Sequence, residues 1–189
     1  MNKPNWVPTE DQFVVGSTAP PVPGRKGEPV FEDFLPAPEL RKIGDRLVAR
    51  LFSGTEPGDL PRIDYRWKRR GGSRGGMAIY GKCVKLSGAA QHYAGGAQFL
   101  VWLAADYCEL ADYDARQIEA LLYHELLHIE QFVTWDRFKN PVIKYRPRNH
   151  DFEGFFGELE AYGAWGSTWQ LLEGIMRQLP LPQGIEVSV

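Results

Sequence analysis

The amino-acid order predicts an α+β fold in which a small three-stranded sheet is segregated from its helices. Three observations carry that expectation. Apolar residues recur at helical spacing from about Ala37 to Ser53 and again beyond Asp114. Between those helices lie three strand-like segments separated by glycine-rich connections. A last helical stretch runs from about Phe152 or Glu153 to Gln178.

The elements follow in order. Residues 1–36 are rich in Pro and Gly, and Ala19-Pro20-Pro21-Val22-Pro23-Gly24 cannot be helical, because proline lacks an N–H and fixes φ. This part reads as an extended arm, pinned to the domain through Phe13, Val14, Phe31 and Phe34. The domain proper spans 37–178, and residues 179–189, with Leu179-Pro180-Leu181-Pro182, form a tail. In the first helix Pro38 suits the opening turn, Leu40, Ile43, Leu47 and Leu51 form one stripe, and Gly54 supplies the stop. Ile63, Tyr65 and Trp67 alternate with Asp64, Arg66 and Lys68, the period of a strand. Met77–Leu86 and the apolar run Gln98–Ala104 give the second and third strands. Asp114 with Gln117 makes a capping-box pair at the next helix start. Ile118, Leu121, Leu122, Ile129 and Phe132 predict that this helix continues to about Trp135. A loop containing Pro141 and Pro147 then leads to the final helix.

Composition narrows the function classes. The chain has 189 residues, a formal net charge of -2, 43% hydrophobic and 24% charged residues, the profile of one soluble domain. No apolar run approaches the roughly 20 residues a bilayer span needs, so no membrane role is expected. Met1-Asn2-Lys3-Pro4-Asn5 lacks the apolar core of a signal peptide, and Cys83 and Cys108 form no disulfide framework; both point to the cytoplasm and to reduced thiols. The near-neutral charge does not favour nucleic acid as a partner. The basic cluster Arg66-Trp67-Lys68-Arg69-Arg70 with Arg74 could grip phosphate, so nucleic acid stays as an alternative partner, but the favoured reading is a solvated strand edge and turn.

The chemistry resides in His124-Glu125-Leu126-Leu127-His128. Two imidazoles at i and i+4 of a helix share one face and can bind one Zn²⁺. Glu125 projects to the side, where it can reach a zinc-activated water as general base. Such a pattern is expected by chance only ~0.006 times in a chain with this few histidines. A catalytic zinc needs a third protein ligand. The metzincin extension is excluded, because Gln131 and Thr134 stand where it requires glycine and histidine. His150, at the head of the last helix, is the favoured third ligand; Glu153, Glu158 and Glu160 are its competitors, and His92 reads as a surface residue. Asp151, Glu153 and Glu158 are candidates to orient a ligand histidine, and Tyr162, Tyr145 or Arg146 to stabilise an oxyanion.

His124-Glu125-Leu126-Leu127-His128, followed by His150-Asp151-Phe152-Glu153-Gly154-Phe155 and Glu160-Ala161-Tyr162-Gly163, resembles the metallopeptidases encoded by phages and prophages. That family is similar in layout to the SprT/Spartan group of zincins, and the resemblance covers roughly residues 38–165. It implies a minimal zincin core with a zinc cofactor held by His124, His128 and His150, and Glu125 as general base. It further implies that the strand near Gln98–Ala104 lies along the substrate cleft, with a host-cell cytoplasmic setting. The gap from His128 to His150 is longer than in Spartan-type chains, and Asp151 replaces the glycine after the ligand, so cleavage of DNA-bound proteins is not implied. The expected activity is zinc-dependent hydrolysis of peptide bonds in a peptide or protein substrate. The alternatives are a zinc amidohydrolase acting on other amides, and a non-catalytic binding protein of the same shape.

Overall fold

The computed structural model of the chain describes residues 4–15, 22–23, 29–30, 33–150, 156–163 and 165. In the arm, helix α1 (Glu10–Val15) and the two-residue antiparallel strands β1 (Val22–Pro23) and β2 (Pro29–Val30) precede the main domain. Then come β3 (Phe34–Pro36), α2 (Pro38–Leu51), a 3-10 turn at Pro57–Asp59 and β4 (Ile63–Lys68). The hairpin of β5 (Gly72–Arg74) and β6 (Met77–Ile79) is followed by β7 (Gly81–Lys85), α3 (Gly88–Tyr93), β8 (Phe99–Ala104) and α4 (Ala105–Leu110). The chain continues through α5 (Ala115–Leu127), β9 (Ile129–Trp135), β10 (Pro141–Pro147) and α6 (Phe156–Tyr162). The architecture is mixed α+β, and no helix among the described residues is long and apolar enough to cross a membrane.

The main sheet has four strands, in the order β3-β4-β8-β7, rather than three. β4 and β8 run parallel at its centre, and β3 and β7 flank them antiparallel. The added strand β3 ends in Pro36 at the sheet margin, where a missing N–H is tolerated. The Met77–Leu86 segment also divides. Its first part pairs back on Gly72–Arg74 across Gly75 and Gly76, both at positive φ (59° and 83°), the two-residue turn that glycine makes accessible. Only Gly81–Lys85 joins the main sheet.

The larger departure concerns the helix of the histidine motif. It stops at Leu127, and residues 129–135 form β9, which pairs residue for residue with β10 from Ile129↔Pro147 to Trp135↔Pro141. Leu122, Leu126, Ile129 and Phe132 satisfy a helical period, which is why the sequence suggests continuation. The segment also holds Ile129, Phe132, Val133, Thr134 and Trp135, all strand formers, and a partner strand decides the outcome. The two prolines expected in a loop sit at the first and last positions of β10. The Asp136 carboxylate closes the hairpin by accepting from the N–H groups of Phe138 (2.7 Å) and Asn140 (2.8 Å).

The core lies between the sheet and α2 and α5. Ile63, Tyr65 and Trp67 alternate inward from β4 and meet Phe99, Val101 and Leu103 of β8 and Leu40 and Leu47 of α2. The arm joins this core through Val7 and Phe13, and Trp6 lies 6.1 Å from Trp67. α2 approaches the sheet at Gly44, where an added Cβ would fall 2.4 Å from the Tyr65 ring. In an open helix Gly→Ala stabilises by about 1 kcal/mol. Here Gly44→Ala is expected to lower stability by about 1–3 kcal/mol through overpacking, read as a lower urea midpoint at unchanged m. A raised midpoint would show that Tyr65 yields without strain.

Candidate metal centre

Helix α5 is fixed at its start by the capping box: the Gln117 N–H donates to the Asp114 carboxylate (2.8 Å) and the Asp114 N–H to the Gln117 side chain (3.0 Å). Ile118, Leu121, Leu122 and Leu126 bury one face of it. His124 therefore stands in the last turn, and His128 caps the C-terminus while keeping helical backbone angles (φ -70°, ψ -3°). The i, i+4 relation survives although the helix ends there; the ring centroids are 5.4 Å apart.

The β9–β10 hairpin brings the third imidazole. Leaving β10, the Arg148 N–H donates to the His128 carbonyl (2.7 Å), and the Arg148 carbonyl accepts from His128 Nδ1 (2.8 Å). This double closure ties the end of the hairpin to its beginning and sets His150 two residues on. The His150 ring centroid lies 4.5 Å from that of His128 and 5.0 Å from that of His124. Nε2 of His150 is 3.1 Å from Nε2 of His124. The three imidazoles each offer a ring nitrogen, all within 4.8 Å of one another.

The opposite nitrogen of His124 is held from α6. Its Nδ1 donates to Glu158 Oε2 at 2.6 Å, and Glu158, fully buried, also accepts from Trp165 Nε1 at Oε1 (2.7 Å). Glu158 thus meets His124 on the side away from the cluster. Glu160 is exposed, and Asp151 and Glu153 lie outside the described residues. Tyr162 is turned to other work: its hydroxyl donates to Glu119 (2.9 Å) and its ring packs on Tyr123. The Tyr145 hydroxyl donates to the Asp59 carbonyl, and Arg146 pairs with Glu130 (2.7 Å). His92 is exposed on α3.

Glu125 is 4% exposed and faces β7, the edge strand of the sheet. β8, the strand expected along a cleft, also packs on α5 but is paired on both sides, with β4 and β7, so the unpaired edge beside the motif belongs to β7. An added Cβ on Gly81 would fall 2.7 Å from Glu125 Oε1, so only glycine leaves room for the carboxylate. The Cys83 N–H donates to the same carboxylate. Burial pushes the Glu125 pKa up to about 7, against the opposing pull of His124 and that N–H. Burial lowers the pKa of His128, which keeps the imidazole neutral with a lone pair to offer. For His124 burial also acts downward, but the Glu158 hydrogen bond and the Glu125 charge outweigh it and the net shift is upward.

Beside Gly81 stands an aromatic wall. Tyr80 stacks on Tyr113 (5.6 Å) and contacts Tyr107 (5.2 Å), and Tyr113 meets Trp165 edge-on (6.0 Å). Most of the basic cluster has partners within the chain: Trp67 is buried, Arg66 pairs with Asp64, Arg69 and Arg70 pair with Glu10, and Lys68 lies over the Trp102 ring, while Arg74 is exposed on the β5–β6 hairpin. Three features of the site escaped the sequence reading: Gly81, the Arg148 carbonyl and Trp165. Glycine inside a strand signals close approach and could have flagged the first; the other two depend on long-range pairing.

A family model described as putative phage metallopeptidase matches residues 32–177 of the chain. The chain belongs to that family. The match takes in every described element from β3 to α6 and leaves α1 outside. No curated protein and no solved structure matches the chain. A phage metallopeptidase implies a metal, and the His124, His128 and His150 cluster could hold one. The donors fit: three imidazole nitrogens, with Nδ1 of His124 and of His128 donating to acceptors, the tautomer that puts the lone pair on Nε2, as a cation of intermediate softness requires.

Proposed function

We propose that this phage metallopeptidase hydrolyses peptide bonds as a zinc enzyme, with His124, His128 and His150 as zinc ligands and Glu125 as general base. The observation that carries the reading is the convergence of the three imidazoles beside a buried carboxylate on the same helix. When bound, zinc supplies Lewis acidity toward a carbonyl oxygen and lowers the pKa of water.

The protein's own contributions follow from its contacts. Glu158 and the Arg148 carbonyl orient two of the imidazoles. Gly81 and the Cys83 N–H fix the Glu125 carboxylate at the edge of β7. That buried carboxylate, held beside the cluster, is placed to take a proton from the attacking water and return it to the leaving amine. Because β7 is a sheet edge, an extended peptide can align along it by main-chain hydrogen bonds, which favours peptides over small amides.

The test is metal content of the purified chain by plasma mass spectrometry, paired with cleavage of an unstructured protein such as casein. Near-stoichiometric zinc with cleavage that a chelator abolishes and zinc restores is expected. Stoichiometric zinc without cleavage of any peptide would leave the amidohydrolase or binding-protein alternatives. Absence of zinc after reconstitution would overturn the reading.

A further inference from the structure

We infer that Trp165 is a positioning residue for the histidine cluster, acting through Glu158 on His124. The inference rests on reading the cluster as a zinc site. Glu158 is fully buried, and a buried carboxylate is costly unless its oxygens are satisfied. His124 Nδ1 occupies Oε2 at 2.6 Å and the Trp165 indole N–H occupies Oε1 at 2.7 Å. An indole N–H can only donate, so this contact has one polarity. With Oε1 pinned, the carboxylate plane cannot turn about its own axis, and Oε2 stays opposite Nδ1. That contact in turn sets the tilt of the His124 ring and the direction of Nε2.

Trp165 is itself fixed on three sides. Its backbone N–H donates to the Gly163 carbonyl (3.0 Å), its backbone carbonyl accepts from Gln117 Nε2 (3.4 Å), and its ring sits edge-on to Tyr113 (6.0 Å). Gly163, at φ +67°, turns the chain after α6 so that the indole can reach back to Glu158. Gln117 belongs to the capping box that starts α5. The contacts therefore run from the start of α5, through Trp165 and Glu158, back to His124 in its last turn.

The variant Trp165→Phe keeps an aromatic ring against Tyr113 and removes only the donor. Zinc affinity of the full chain, measured by competition with a fluorescent chelator, is expected to fall roughly 10-fold in this variant, as for other outer-shell partners. In a Glu158→Ala background the same substitution is expected to change zinc affinity less than 2-fold, because no side-chain oxygen remains to link Trp165 to His124. A thermal melt of the metal-free proteins accompanies both measurements, to separate positioning from general destabilisation. Unchanged affinity in Trp165→Phe overturns the inference, as does an equal loss in both backgrounds. Failure of the wild-type chain to bind zinc at all overturns the zinc reading, and the inference falls with it.

Discussion

Glu125→Gln is expected to reduce peptide cleavage by about 10²–10⁴-fold while leaving bound zinc unchanged. The substitution keeps the shape that Gly81 accommodates, and the Gln carbonyl can still accept from the Cys83 N–H, but the side chain can no longer take a proton. A second, opposite effect accompanies it. The folded metal-free protein holds Glu125 at a pKa of about 7 against 4.5 for the free carboxyl, so between those values the folded state binds more protons than the unfolded chain. Stability contributed by this group is full below about 4.5 and is lost as pH rises through about 7. The loss approaches about 3 kcal/mol at high pH if the whole shift is realised. Metal-free Glu125→Gln should therefore resist urea better than the wild type at pH 8, with the difference vanishing near pH 4.5. Equal stability at both pH values would show that the carboxylate is not strained by burial, and retained cleavage would remove Glu125 from the mechanism.

His150→Ala is expected to abolish near-stoichiometric zinc binding. The drop in affinity should exceed the roughly 10–100-fold that follows loss of an outer-shell partner, because a direct ligand is removed. His150 is exposed, so the metal-free variant should unfold within about 0.5 kcal/mol of the metal-free wild type. Zinc content and a urea curve on the same preparations decide the matter. Zinc retained in His150→Ala would shift the third ligand to a carboxylate, and the position of Glu158 behind His124 makes that residue a poor replacement.

The parts of the site legible in the sequence are those with short-range signatures. His124, Glu125 and His128 are set by helical spacing, and Asp114 with Gln117 announces the helix start. Both features are present although the helix ends one residue before His128. His150 could be singled out only as the histidine placed ahead of the last helix. The hairpin that delivers it was hidden, because Ile129–Trp135 satisfies helical and strand periods alike and is decided by pairing with Pro141–Pro147. Likewise β3 is three residues long and exists as a strand because β4 is there to pair with it. Glu158 could be named as a candidate for two roles, ligand or orienting group, but not assigned between them. Its choice of the Nδ1 side depends on how α6 packs on α5, which no local pattern encodes.

The double closure between Arg148 and His128 bears on the order in which the site is assembled. These residues are 20 positions apart and close a simple two-stranded hairpin, whereas His124 and Glu158 are 34 apart and meet only when two helices dock. Contacts between near neighbours in sequence close faster than those between distant ones. Two of the three imidazoles thus belong to a unit that can zip locally: the Arg148 carbonyl holds Nδ1 of His128, and His150 follows two residues later. The docking of α6 brings no donor of its own; it sets Glu158 against Nδ1 of His124 and so fixes the ring of the remaining imidazole.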